Sequence, residues 1–344
     1  MNRKNCVICN NTSQVQYLCD YNTVLKLGKC EFCSSVQLIN LTDPDILYKN
    51  YIQPLKTSLS WIKHNISFCK FISNTVDSNQ SIVEIGASSF VIGKYLINDY
   101  KDYTVFDYSF DTNTIFHPNV KYLEGNCENY DFTNNITIVM SHVFEHLYEP
   151  AKFLHNCMKN KVKQIVIAIP NMNNNNKVHI TEQHTFSYSD NDIEYLFSMN
   201  KYKLTNKQFY MNDTIFYVFE FDINVTPVTR IIENSRYIYM FLYLTTKITI
   251  PDYSFIATAG LRSKVLYNKI QNTENIIGVL DNDNNVIGGK YVNNNLFIVN
   301  GFDILINYDE KYTVIIPNDL FESIKEELIA QIKSINSKLQ ILCL

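Results

Sequence analysis

Residues 81–90 read SIVEIGASSF. The run from Ser81 to Ile85 is rich in Ile and Val, as a strand buried on both faces of a sheet would be. Gly86 then stops the strand, the small residues Ala87, Ser88 and Ser89 follow, and VIGKYLIN (91–98) takes up helical spacing. Strand, glycine turn and helix in that order open a doubly wound α/β sheet, whose ligands lodge outside the carboxyl ends of the strands. Outward from this unit the alternation continues. YTVFDYS (103–109) and ITIVMSHV (136–143) read as strands, PAKFLHNCM (150–158) as a helix and KQIVIAIP (163–170) as a strand. KLTNKQFY (203–210) and TIFYVFEFD (214–222) read as two closing strands.

A second, smaller α/β pattern begins near Ile250. SFIATAG, NIIGVLDND, LFIV, YTVIIPN and LQILCL read as strands, LRSKVLYNKI and FESIKEELIAQIKS as helices. The expected division is therefore residues 1–46 as an N-terminal module, 47–224 as the central domain with a helical lead-in over 47–78, and 225–344 as a C-terminal Rossmann-like α/β domain. A helical stretch, Ile231 to Leu244, bridges the last two.

A chain of 344 residues with 46% hydrophobic content has room for two or three packed cores. The net charge of −4 lacks the basic footprint of a nucleic-acid binder. No apolar run is long enough to span a bilayer, IYMFLYL (238–244) being only seven residues, and the first ten residues carry no signal-peptide core. Neither nucleic acid nor membrane is an expected partner, and the expected location is cytoplasmic. Four of the nine cysteines fall in two pairs, Cys6 and Cys9, then Cys30 and Cys33, separated by twenty residues. Four thiolates at this spacing can wrap one Zn²⁺ tetrahedrally and leave no position for a catalytic water, so a structural zinc is expected.

The glycine turn also carries chemistry. An S-adenosylmethionine site needs a backbone turn against the ligand and a carboxylate on the next strand for the ribose hydroxyls. Glu84, Gly86, Ala87 and Ser88 fit the first requirement, and Asp107, about twenty residues beyond Gly86, fits the second. GxGxxG is missing, which disfavours a pyrophosphate on the turn and hence NAD. Cys127 and His142 follow later strands and are the further expected cofactor contacts. His142-x-x-Glu145-His146 also matches an inverted zinc-protease pattern, but that pattern needs a sustained helix, and here it follows directly on a strand.

With these residues in hand, the chain resembles the zinc-containing deoxysugar C-methyltransferases of antibiotic biosynthesis over nearly its whole length. The second cysteine pair runs into SSVQLIN, similar to the family's C-x-x-C-x-x-x-Q-L. DILYKNYIQPLKTSLSWIKH is similar to another family segment, with Tyr51 and His64 at matching places. ATAGLRSK keeps Gly260 and Lys264, and VLDNDNNVIGGKY keeps Asp281, Gly289, Lys290 and Tyr291. The resemblance implies a nucleotide-linked sugar substrate enclosed by the central and C-terminal domains. It also implies proton removal from the ring carbon beside a keto group, followed by methylation of the enolate.

The family's catalytic Tyr-His-Glu-His falls on Thr181, Glu182, Gln183 and His184. His184 is retained as the expected base, Glu182 is the candidate carboxylate from the neighbouring position, and Tyr51 is a further catalytic candidate. The lost tyrosine removes an oxyanion donor, so O-methylation of a sugar hydroxyl stands beside C-methylation. A catalytically inert zinc-containing scaffold is the reading from another class.

Overall fold

The computed structural model describes residues 3, 5–9, 15–20, 26–48, 59–87, 90, 92–110, 117–172, 183–231, 246–291, 297–318, 320 and 322–344. Contacts divide the chain into two compact units, the larger reaching Asn234 and the smaller made mostly of Ser235–Leu344.

The larger unit holds two sheets. Strands β1 (Val15–Asp20), β2 (Lys26–Cys30) and β3 (Val36–Leu38) form a three-stranded sheet in that order. The main sheet has seven strands: β4 (Ser81–Ile85), β5 (Asp102–Asp107), β6 (Val120–Glu124), β7 (Ile136–Ser141), β8 (Gln164–Pro170), β9 (Tyr202–Tyr210) and β10 (Thr214–Phe221). Their spatial order is β6-β5-β4-β7-β8-β10-β9. β4 to β8 are parallel, and β10 inserts antiparallel between β8 and β9. This is a Rossmann-like arrangement in a mixed α/β fold. The strand order reverses at β4, which opens a crevice at the carboxyl ends of β4 and β7.

Burial explains why these runs are strands. Every residue of β8 is buried, as are five of the six in β7, the pattern of central strands covered on both faces. One face is covered by the helix Leu59–Thr75, which presents Phe68, Phe71 and Ile72 at helical spacing. The other packs Phe144, Phe153 and Phe197 against β7, β8 and β10. The cysteine pairs belong to this second core, which runs without a break from Cys6, Cys30 and Cys33 to Phe186 and Tyr188.

Some elements differ from the sequence expectation. The strand expected to reach Val143 stops at Ser141, because His142 takes a left-handed φ of 54° and turns the chain. VIGKYLIN yields only the short helix Gly93–Leu96, which starts on a glycine and is followed closely by Asn98 and Asp99, all poor helix residues. A helix over Asp190–Met199 was not foreseen. The expected helix Ile231 to Leu244 lies almost wholly outside the described residues.

In the smaller unit, β11 (Ser254–Ala257), β12 (Ile276–Leu280), β13 (Val299–Asn300), β14 (Thr313–Ile316) and β15 (Gln340–Cys343) make a parallel sheet ordered β13-β12-β11-β14-β15. Helices Leu261–Lys269 and Glu322–Ile335 accompany it. Asp281, just past β12, accepts the Ala259 N–H at 2.7 Å and ties two strand ends together. Among the described residues, no helix is long and apolar enough to cross a membrane.

Candidate functional site

A pocket opens where β4, β5 and β7 end. Glu84, Gly86, Ala87, Asp107, Cys127 and His142 all line it, which is every expected cofactor residue except Ser88, and Ser88 lies outside the described residues. Tyr48, Trp61, Asn65, Tyr108, His146 and Tyr148 complete much of its wall.

Gly86 is required twice over. Its φ is +76°, a conformation that costs an L side chain, and a Cβ there would meet Val143 Cγ2 at 2.3 Å. Its N–H donates to the Phe106 carbonyl at 2.8 Å, which locks the turn to the neighbouring strand. The missing side chain makes room for Val143, so the Gly86 backbone is held between that residue and the pocket it lines. Asp107 ends β5 on the opposite lip, where its Oδ1 accepts the Tyr108 N–H at 2.7 Å.

Glu84 is buried, with 3% of its surface exposed. Burial pushes its carboxyl up to about 7, against the Tyr103 hydroxyl, which donates to Oε2 at 2.8 Å, and a Gly93 backbone bond. It faces the pocket floor as a group poised between charged and neutral. Cys127 sits in a short turn capped by Asn126, whose side chain accepts the Glu128 N–H at 2.9 Å. Burial raises both the Cys127 thiol and the Glu128 carboxyl above their ordinary values. Glu128 in turn accepts the Glu149 N–H.

The segment after β7 carries more chemistry than the sequence revealed. His142 is held on both sides: its Nδ1 lies 3.2 Å from Glu145 Oε1, and its Nε2 lies 3.3 Å from His64 Nε2. Two imidazole nitrogens in contact need one proton between them, so one ring donates while the other accepts. Trp61 sets its ring edge-on to both, with centroids 5.1 Å away. Phe144–His146 form one turn of 3₁₀ helix, and the next α-helix begins only at Pro150. The sustained helix that a protease HxxEH requires is therefore not there.

His146, which the sequence shows only as the last residue of the HxxEH pattern, belongs to the site. It lines the pocket, its Nδ1 meets the Tyr48 hydroxyl at 3.2 Å, and its ring centroid lies 4.5 Å from that of His184. Tyr48 stacks on Tyr108 at 5.1 Å and so joins this pair to the Asp107 lip. The expected base, His184, thus stands beside a pocket residue. Tyr51, Glu182 and Thr181 lie outside the described residues. The i, i+4 pair in HVFEH was the signal available for His146.

Cys6, Cys9, Cys30 and Cys33 bring their four sulfurs within 4.8 Å of one another. Cys6 and Cys33 are 3.4 Å apart, and Cys9 and Cys30 are 3.7 Å apart. A tetrahedral zinc with bonds of about 2.3 Å separates its sulfurs by about 3.8 Å, so the four residues fit such an ion. Burial pushes Cys30 up to about 11, and a cation would offset that cost for its thiolate. The cluster is tied to the site. Leu38 N–H donates to the Thr185 carbonyl at 3.0 Å, Gln37 bridges to Phe186, and Arg3 reaches Thr185 Oγ1 at 3.1 Å and the Tyr148 carbonyl at 2.8 Å. Arg230 joins Cys33 to the helix Asp190–Met199, donating to the Cys33 carbonyl at 3.2 Å and pairing with Asp192 at 2.8 Å.

No family model matches the chain, and no curated protein matches it. Among solved structures it is similar to magnesium protoporphyrin IX methyltransferase from Synechocystis PCC 6803, at 7% identity and a TM-score of 0.39 over 48% of this chain and 84% of that one. It is also similar to the PH0226 protein from Pyrococcus horikoshii OT3, at 8% identity and 0.41 over 53% and 100%. A third is a SAM-dependent methyltransferase from Aquifex aeolicus, at 15% and 0.38 over 48% and 98%.

Proposed function

We infer that this protein is an S-adenosylmethionine-dependent methyltransferase whose acceptor is a nucleotide-linked sugar. The observation that carries the cofactor part is convergence on one pocket. The side-chain-free turn at Gly86 and the carboxylate of Asp107 line a single crevice at the point where the strand order reverses. The bound cofactor would supply an electrophilic methyl group. Asp107 would accept hydrogen bonds from the ribose hydroxyls, the Gly86–Ala87 backbone would lie along the chain of the nucleoside, and Cys127 and Tyr108 would enclose the base.

The acceptor assignment rests on the resemblance in the two cysteine pairs, in the segment around His184, and in the Gly260–Lys264 and Asp281–Tyr291 motifs. His184 takes the acceptor's proton as general base, beside His146 on the pocket wall. With the family's tyrosine replaced by Thr181, carbon and hydroxyl acceptors both fit a histidine base. Carbon beside a keto group is the leading reading, because His184 and the motifs at the two cysteine pairs, Gly260–Lys264 and Asp281–Tyr291 are kept. Zinc at the four cysteines would act as a structural brace, holding β3 against Thr185 and Phe186 and so fixing the position of His184.

Incubation with S-adenosylmethionine and a panel of nucleotide-linked 4-keto and 4-amino sugars tests this. Mass spectrometry reads the gain of one methyl, and proton NMR tells a carbon-bound from an oxygen-bound group. A chain that binds neither S-adenosylmethionine nor its demethylated product in calorimetry is the inert scaffold instead.

A further inference from the structure

Glu145, His146 and His184 place one donor atom each within 4.8 Å of one another, in the larger unit and apart from the four cysteines. A point within about 2.8 Å of all three donors therefore exists, against bond lengths of about 2.0–2.2 Å for zinc to imidazole or carboxylate. Small side-chain rotations close that gap. We propose that these three residues form a second metal site, for a divalent first-row cation of the zinc type.

The donor set is two imidazoles and a carboxylate, which suits zinc and leaves a fourth position for water or an oxygen of a pocket ligand. Neighbours hold the donors in place. His142 Nδ1 fixes one oxygen of Glu145 at 3.2 Å, and the Tyr48 hydroxyl fixes His146 through its Nδ1 at 3.2 Å. Such outer partners set the orientation and basicity of metal ligands. Glu145 is 3% exposed, and a cation offsets the cost of burying its charge. His146 lines the pocket, so the ion stands at the pocket wall.

The site does not depend on the methyltransferase reading, but it has a consequence for it. A nitrogen lone pair that binds metal cannot accept a proton. Filling the site therefore takes His184 out of service as a base, and zinc in excess of the four-cysteine site suppresses turnover until the excess is dialysed away.

The test titrates Zn²⁺ into the full chain and counts bound metal, with Co²⁺ as a spectroscopic substitute. Wild type should take one more equivalent than each of the variants Glu145→Gln, His146→Ala and His184→Ala. The extra Co²⁺ should add only weak visible bands without the thiolate charge-transfer band. Each variant should weaken the second equivalent at least tenfold and keep the first. Circular dichroism and retention of the first metal confirm that the variants are folded. Equal counts in wild type and all three variants, or a thiolate band for the second equivalent, overturns the proposal. Adenosylhomocysteine binding, measured separately, reports on the cofactor pocket whichever way the metal count falls.

Discussion

Gly86→Ala isolates the turn on which the pocket is built. The added methyl meets Val143 Cγ2 at 2.3 Å, so Val143 or the turn must move by more than about 1 Å to reach ordinary contact. Overpacking of this kind costs about 1–3 kcal/mol. The φ of +76° adds about 1–2 kcal/mol, independent of Val143. The two parts separate in a double-mutant cycle. Val143→Ala removes Cγ2 and leaves Val143 Cβ at 3.4 Å, a normal contact, so the double variant retains only the backbone cost. Urea unfolding should therefore show Gly86→Ala destabilised by about 2–5 kcal/mol and the double variant by less than the sum of the single changes, with a coupling of about 1–3 kcal/mol. Adenosylhomocysteine affinity, read by calorimetry, should fall at least tenfold in the single variant and recover in part in the double. An alanine variant as stable as wild type, or a strictly additive cycle, refutes the reasoning about the close approach.

Three further outcomes follow from the same geometry. Asp107→Ala should lose about 1.5–3 kcal/mol of cofactor affinity, roughly 10- to 150-fold in Kd, because a charged acceptor for the ribose hydroxyls is gone; calorimetry with adenosylhomocysteine reads it. Glu84 has a folded value raised to about 7, so its buried charge costs nothing below about pH 4 and the cost grows as pH rises to about 7. Glu84→Gln should match wild type at pH 4 and exceed its stability by up to about 3 kcal/mol at pH 8, as urea melts at both pH values would show. Removing metal with a chelator, or substituting Cys30→Ser, should raise amide exchange over residues 184–188, since β3 is bonded to Thr185 and Phe186. A segment that exchanges at an unchanged rate contradicts the bracing role.

The parallel strands were legible because burial on both faces forces continuous runs of Ile and Val, as in IVIAI of β8 and ITIVM of β7. The glycine turn and Asp107 were legible because their separation along the chain translates directly into neighbouring strand ends. The helix Asp190–Met199 was missed, although Ser189 and Asp192 form a capping box with reciprocal bonds of 3.1 Å. The histidine cluster was not legible as a unit. His64, His142, His146 and His184 are brought together from the helix Leu59–Thr75, the turn after β7 and the segment before Ser189, and no local spacing encodes that meeting. His142 is marked by its place at a strand end and His146 by the i, i+4 spacing after it, whereas His64 and His184 are marked only through the family resemblance.

The most direct measurement is a crystal structure of the chain grown with adenosylhomocysteine. Density for the nucleoside should lie across the Gly86 turn, with its ribose hydroxyls within hydrogen-bond reach of the Asp107 carboxylate and its sulfur directed toward His146 and His184. Density for the nucleoside at any other place, or a crevice that stays closed to it at saturating concentration, would contradict the assignment.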